Sequence, residues 1–221
     1  MESAGAGFSK ALCDSLASWK VAISAGQSEF LRGHFESMVE ANRVMNLTRI
    51  TDPVEAAVKH YADSLALIPW LRLSGLTVDR LLDIGTGAGF PSFPLAVMLP
   101  ETQITALEAT RKKVDFLAAT ASRLAVQNLR VVHGHSAHWE GGGRVPLVVG
   151  RAVAKLGKWL DNAAKHVAPG GSLVAYKSAR LSAEEEADVA RFSRRRGRDF
   201  KTFSYTLALG GERIHRMLVI V

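Results

Sequence analysis

Leu81-Leu82-Asp83-Ile84-Gly85-Thr86-Gly87-Ala88-Gly89 decides how the rest of the chain is read. A short apolar run enters a loop with three alternate glycines. Without a Cβ, glycine reaches positive φ and lets a ligand approach the backbone closely. A loop of this kind at the C-terminal end of a first strand is where doubly wound sheets bind nucleotide-like cofactors. The dinucleotide fingerprint G-x-G-x-x-G fails, because its third glycine would fall at Phe90, which is followed by Pro91. Asp83 at the strand end would repel a pyrophosphate and suits a cationic, amine-bearing ligand.

S-adenosylmethionine is such a ligand, with an ammonium, a sulfonium and no phosphate. The D-x-G-x-G-x-G spacing resembles motif I of class I methyltransferases. A second acid is then expected about 20 residues on, ending strand two, to accept from the ribose hydroxyls. Glu108 in Ile104-Thr105-Ala106-Leu107-Glu108 meets it, and a third apolar run, Leu129 to Val132, leads into Gly134-His135-Ser136-Ala137-His138, where such folds contact adenine. Further apolar runs lie at Val145–Val149 and Leu173–Tyr176, with helical stretches over 111–126 and 155–167 between strands. Strands alternating with helices imply βαβ units and a mostly parallel sheet. Pro169-Gly170-Gly171 is expected to separate a helix from the next strand. The tail reads as two strands around Gly210-Gly211 that close the sheet as an antiparallel pair. Upstream, Phe8, Leu12, Leu16 and Trp19 recur at helical spacing, and helix is expected over 8–70. The expected architecture is α/β: an N-terminal helical extension over 1–75 and a Rossmann-like methyltransferase domain over 76–221.

The 221 residues are 48% hydrophobic and 22% charged, which excludes a largely disordered chain. A formal charge of +7 favours an acidic partner, nucleic acid first. One cysteine, Cys13, excludes an internal disulfide framework and a multi-cysteine zinc site. No apolar run approaches the roughly 20 residues a membrane span needs, and the N-terminus lacks the pattern of a secretory signal. These features predict a cytoplasmic protein that does not engage membranes. No apolar stripe suggests a dimer, so a monomer is expected.

Acceptor chemistry narrows the reaction. Methylating carbon 5 of cytosine requires a cysteine nucleophile, and Cys13 lies in the N-terminal helices. Methylating an exocyclic amine typically uses an Asp/Asn-Pro-Pro-aromatic element after strand four, where this chain has Arg151-Ala152-Val153-Ala154. N7 of guanine carries a lone pair and no proton, so its methylation needs no general base, and alignment supplies most of the acceleration. Arg151 is suited to planar contacts with guanine O6, a phosphate or the cofactor.

The chain resembles the ribosomal RNA small subunit methyltransferase G family, also called glucose-inhibited division protein B, from about Asn42 to Val221. The resemblance rests on Met45-Asn46-Leu47-Thr48, His60-Tyr61-Ala62-Asp63-Ser64, Asp83 through Pro91 with Pro94-Leu95-Ala96, and Arg111-Lys112-Lys113 with Phe116-Leu117. Arg151-Ala152, Tyr176-Lys177 and Gly211-Glu212-Arg213 complete it. It implies methyl transfer from S-adenosylmethionine, leaving S-adenosylhomocysteine, to N7 of a guanine in the 530 loop of 16S rRNA, with the 30S subunit as partner and no metal. Carried over, cofactor contacts fall on Gly85, Phe90, Glu108, Ala109, Thr110, Ala137, His138 and Arg151, joined by Asp83 and Gly87 from the loop argument. Arg151 is also the expected catalytic residue. The chain departs from the family pattern at Ser92, His138, Gly150 and Ser178.

His60 and Asp63 share a helix face at i, i+3, as a packing or functional pair. The scattered histidines do not form a metal-ligand pattern. Arg191, Arg194, Arg195, Arg196, Arg198 and Lys201 form the densest basic run, either a solvated face or an rRNA phosphate contact. Two other functions compete: a nicotinamide-dependent oxidoreductase, disfavoured by Asp83 and Phe90, and a non-enzymatic rRNA-binding or assembly factor.

Overall fold

The computed structural model describes residues 2–153 and 155–221, with side chains from residue 5 onward; Ala154 lies outside the described residues. Seven strands form one sheet in the order β3-β2-β1-β4-β5-β7-β6. They are β1 (Arg80–Ile84), β2 (Gln103–Glu108), β3 (Leu129–His133), β4 (Val145–Gly150), β5 (Val167–Ser178), β6 (Lys201–Leu209) and β7 (Glu212–Ile220). The first five pair in parallel, and β7 runs antiparallel between β5 and β6. Strand order reverses at β1, which has β2 on one side and β4 on the other. Open α/β sheets bind ligands outside the carboxyl ends of the strands at such a switch point.

Alternation along the strands sorts their side chains into two cores. Leu81, Leu147, Val149, Val174 and Tyr176 join one apolar cluster, while Leu82, Ile84, Val148, Leu173 and Ala175 join the other. The first face is covered by α1 (Glu2–Ala17), α2 (Ala25–Met45), α6 (Ser92–Met98) and α7 (Arg111–Arg123), through Phe8, Leu12, Leu31, Met38, Phe93 and Leu117. Between α2 and β1 lie α3 (Pro53–Ala56), a π-helical segment (Ala57–Ala62), α4 (Asp63–Leu65) and α5 (Leu67–Ser74). The second face is covered by α8 (Leu156–Ala163) and α9 (Ala183–Arg196), through Leu156, Trp159, Leu160, Val189 and Phe192. The N-terminal helices therefore share the core of the sheet they cover.

Several boundaries differ from the sequence expectation. The N-terminal helix begins at Glu2, and the helical region is broken at 18–24 and 46–52. A Ser24–Gln27 capping box restarts α2, and left-handed Asn46 ends it. Pro169-Gly170-Gly171 does not separate helix from strand but lies inside β5. Pairing shifts from Val145–Val167 to Leu147–Ser172, so the segment is accommodated as an irregularity at the start of the ladder. Gly210 and Gly211, at φ +57° and +85°, close the β6–β7 hairpin with a two-residue turn that needs positive φ at both positions.

Candidate functional site

The loop after β1 is held from three sides. The backbone N–H of Gly85 donates to Leu107 O at 2.8 Å, which fixes the turn against β2. Gly85 and Gly87 have φ of +79° and +62°, and open space lies where a Cβ would project from either one. Gly89 has φ +102°, and a Cβ there would meet Leu117 Cδ1 at 2.8 Å and His34 Nε2 at 3.1 Å. The first two glycines leave room for a ligand, while the third allows the loop to pack on α2 and α7.

His34 makes that packing specific. Its Nε2–H donates to Ala88 O at 2.9 Å, which obliges Nδ1 to accept from the Tyr61 hydroxyl at 2.7 Å. The ring also stacks on Phe93 with centroids 4.1 Å apart. Complete burial pushes the His34 imidazole down to about 3, so it stays neutral. Sequence reasoning missed His34 and Tyr61. His34 repeats with apolar residues on one face of α2, and nothing local marks it as the clasp of a loop 54 residues away.

Glu108 ends β2 beside this loop. Its Oε2 accepts from Gly87 N at 2.9 Å and its Oε1 from Thr110 N at 2.8 Å. One buried carboxylate thus joins the glycine loop to the start of α7. Asp83 is fully buried on the face covered by the N-terminal helices, where its Oδ2 accepts from Ser92 N at 3.1 Å and Oδ1 has no partner among the described residues. Burial pushes the Asp83 carboxyl up to about 6, against the pull of its hydrogen bonds. Ser92 also hydrogen-bonds Thr86 through their hydroxyls, which supports the loop from α6.

A cavity of about 320 Å³ opens at the carboxyl ends of the central strands. Its lining includes Gly85, Glu108, Ala109 and Arg151 from the expected set. Gly87 and Thr110 adjoin it through Glu108. Ala137 and His138 are not among the lining residues; His135 and Ser136, two residues earlier, form that wall. The opposite wall is α8, with Lys155 just before it and Lys158, Trp159 and Asn162 on it, none of them anticipated. The signal for α8 was its position directly after Arg151 and its amphipathic spacing. Trp159 also accounts for Gly150, since a Cβ there would lie 2.5 Å from the indole nitrogen.

Arg151 leaves β4 and turns toward the π-helical segment. Its Nη1 donates to Lys59 O at 3.2 Å, His60 O at 3.3 Å and Asp63 Oδ2 at 3.3 Å, and its guanidinium lies 4.7 Å over the Phe90 ring. Phe90 is buried and stacks on His60 at 4.9 Å. Burial, then the Arg151 charge, pushes His60 down to about 4. His60 and Asp63 thus act as supports of Arg151. The dense basic run lies elsewhere: α9 starts at the cavity end of the sheet, and its 14 residues span about 20 Å. Arg194–Arg196 therefore lie at the amino end of the parallel strands. There Arg195 pairs with Asp161 and Arg198 donates to Gly171 O. Among the described residues, no group of three or more His, Cys, Asp or Glu is placed to hold a metal, and no helix is long and apolar enough to cross a membrane.

The fold and the sequence both have known counterparts. The solved structure of the O-methyltransferase TomG from Streptomyces achromogenes, in complex with SAM, superposes with a TM-score of 0.52 at 18% identity over 90% of this chain and 91% of its own. The fold is that of class I S-adenosylmethionine-dependent methyltransferases. Ribosomal RNA small subunit methyltransferase G of Solibacter usitatus (strain Ellin6076) is 39% identical over 163 residues, 74% of this chain and 76% of the relative. The protein of that name from Desulfitobacterium hafniense (strain Y51) is 34% identical over 210 residues, 91% and 83% of the two chains. The sequence pattern of the family described as rRNA small subunit methyltransferase G matches residues 27–206, and the chain belongs to that family.

Proposed function

We propose that the protein transfers a methyl group from S-adenosylmethionine to N7 of a guanine in the 530 loop of 16S rRNA, acting as a monomer in the cytoplasm on the 30S subunit or its RNA. One observation carries the reading. Glu108, the open glycine Gly85 and Arg151 converge on one cavity at the switch point of the sheet, with Gly87 bonded to Glu108 beside it. The residues fit the cofactor. Glu108 is a carboxylate at the end of β2, placed to accept from ribose hydroxyls, and the space beyond Gly85 and Gly87 is what a side chain would fill. Phe90 stands where the dinucleotide fingerprint needs its third glycine, and buried Asp83 opposes a pyrophosphate behind the loop. His135 and Ser136 take the adenine-side role expected of Ala137 and His138.

When bound, S-adenosylmethionine supplies a methyl whose S–C bond breaks as the N7–C bond forms, leaving S-adenosylhomocysteine and carrying the positive charge to guanine. The chain supplies alignment. Arg151 is held against Phe90 and the π-helical carbonyls, so its position is set before any ligand arrives. The histidines nearest the loop, His34 and His60, are held neutral. No proton has to leave N7, so the reaction requires no base from them.

Calorimetry with S-adenosylmethionine and with NAD, followed by labelled methyl transfer to 30S subunits and to naked 16S rRNA, tests the reading. The expected result is binding of the first ligand only and label at an N7-methylguanine, mapped by strand cleavage. Binding of neither ligand with no label in either RNA would favour the rRNA-binding factor, and NAD binding the oxidoreductase.

A further inference from the structure

Arg151 sits at the start of a loop, followed by Ala152 at φ +55°, so neither a helix nor a strand fixes its side chain. Contacts from distant parts of the chain do. We infer that Asp63 and Tyr205 are positioning residues for methyl transfer, a buried relay that holds Arg151 at the cavity from behind; the inference rests on the methyltransferase reading above.

The relay joins the N-terminal helical layer to the sheet. Asp63 follows the π-helical segment of the N-terminal layer and is 7% exposed. Its Oδ2 accepts from Arg151 Nη1 at 3.3 Å, and its Oδ1 accepts from the Tyr205 hydroxyl at 2.8 Å. Tyr205 belongs to the edge strand β6, where its ring meets Trp19 edge-on at 5.8 Å. Arg216 on β7 approaches the same carboxylate at 3.9 Å. Next along the chain, Ser64 O accepts from the Tyr176 hydroxyl at 2.7 Å, which ties the turn to β5 as well. The π-helical segment widens the backbone at Lys59 and His60, whose carbonyls accept from Arg151. Nη1 is thus spent on the scaffold. Nε has no partner among the described residues, and the side chain lines the cavity.

Asp63 is a nearly dry carboxylate. Asp63 fixes the guanidinium only if its own rotamer is fixed, and Tyr205 supplies that restraint with a hydrogen bond to the charged form. Loss of the hydroxyl frees the carboxylate to rotate, and Arg151 follows it. Misplacement of an aligning group by an ångström costs far more in rate than in stability.

Tyr205→Phe is the primary variant because it keeps the ring packed against Trp19; Asp63→Asn is the second. Hydrogen exchange of the protein without cofactor is compared over residues 151–155 and over α9. Single-turnover transfer is measured with saturating cofactor and RNA. Tyr205→Phe is expected to speed exchange at 151–155 severalfold with α9 unchanged, and to slow transfer by roughly tenfold. Asp63→Asn, where it folds, is expected to exceed both effects. Unchanged exchange at 151–155, exchange raised equally everywhere, or an unchanged transfer rate would each overturn the inference. A wild-type protein that transfers no methyl overturns the function reading instead, and that measurement comes first.

Discussion

The two ends of the sheet handle positive charge in opposite ways. At the amino end, Arg191 to Lys201 crowd six cations into eleven residues, most of them in water. Among them Arg195 and Arg191 pair with Asp161 and Asp188, and Arg196 lies 5.6 Å over Phe192. At the carboxyl end Arg151 is 15% exposed and touches an aromatic ring, a carboxylate and two carbonyls. Exposed charges are screened within about 10 Å at ordinary salt, whereas one nearly removed from water acts on its neighbours at lower effective dielectric. Charge density along the sequence therefore peaks at the end of the sheet away from the cavity. Predictions that act on one end and spare the other test this contrast.

The largest effect is expected at the loop that packs the site end. Gly89→Ala places a Cβ 2.8 Å from Leu117 and 3.1 Å from His34, at φ +102°. Gly170→Ala at the amino end is strained by φ +77° alone, with nothing within 4 Å of the new carbon. Urea unfolding should show a loss of about 3 kcal/mol for the first, combining strain with overpacking. The second should lose about 1 kcal/mol. Equal losses would mean that the site end is no more tightly packed than the other.

The histidines give the next effect, through pH. His34 has a folded value of about 3 against an ordinary 6.5, and His60 about 4. The unfolded chain takes up their protons first, so their contribution is full above pH 6.5 and is lost as pH falls toward 4 and 3. Asp83 works the other way. Its value, raised to about 6 from 3.8, makes the native state the better proton binder between those two values, and that term destabilises above pH 6. With two histidines against one aspartate, stability should fall on acidification below pH 6.5. His34→Gln should flatten that slope by about 1 kcal/mol per pH unit in urea titrations. Asp83→Asn should steepen it between pH 6 and 4 and raise stability at pH 8. An unchanged slope in either variant would show that the residue is not buried in the protonation state assigned to it.

Local patterns in the sequence marked much of this molecule and nonlocal contacts the rest. Leu81 to Gly89 announced a strand, a turn and a switch point because each residue's constraint is local. Glu108 was found by its spacing from that loop, although its bonds to Gly87 and Thr110 were not foreseen. The His34–Ala88 bond and the Asp63–Tyr205 bond span 54 and 142 residues, and no periodicity encodes such pairs. The α8 wall was missed for a similar reason. Lys158 and Asn162 read as an ordinary solvent face until the sheet order places α8 across from Glu108 and Ala109. Pro169-Gly170-Gly171 misled because its chemistry fits a helix stop and a strand irregularity equally.

Two further variants, one at each end, carry the smallest effects. Gly150→Ser drives a Cβ to 2.5 Å from Trp159 Nε1, so it should cost about 1–2 kcal/mol. The shifted indole should also weaken cofactor binding; Trp159→Phe in the same chain should recover part of the stability, and no recovery would place the strain elsewhere. At the amino end, Arg194→Gln, Arg195→Gln and Arg196→Gln together should shift stability by less than about 1 kcal/mol, because exposed pairs contribute little. Cofactor affinity should stay unchanged, since the cavity is at the other end of the strands. If the run also meets rRNA, the salt dependence of RNA binding flattens by about one unit for each phosphate contact removed. The Asp161 pair and the Phe192 contact occupy Arg195 and Arg196, whereas Arg194 has no partner among the described residues, so the expected change is nearer one unit than three. A slope that does not move would confine RNA recognition to the end of the sheet that holds Arg151.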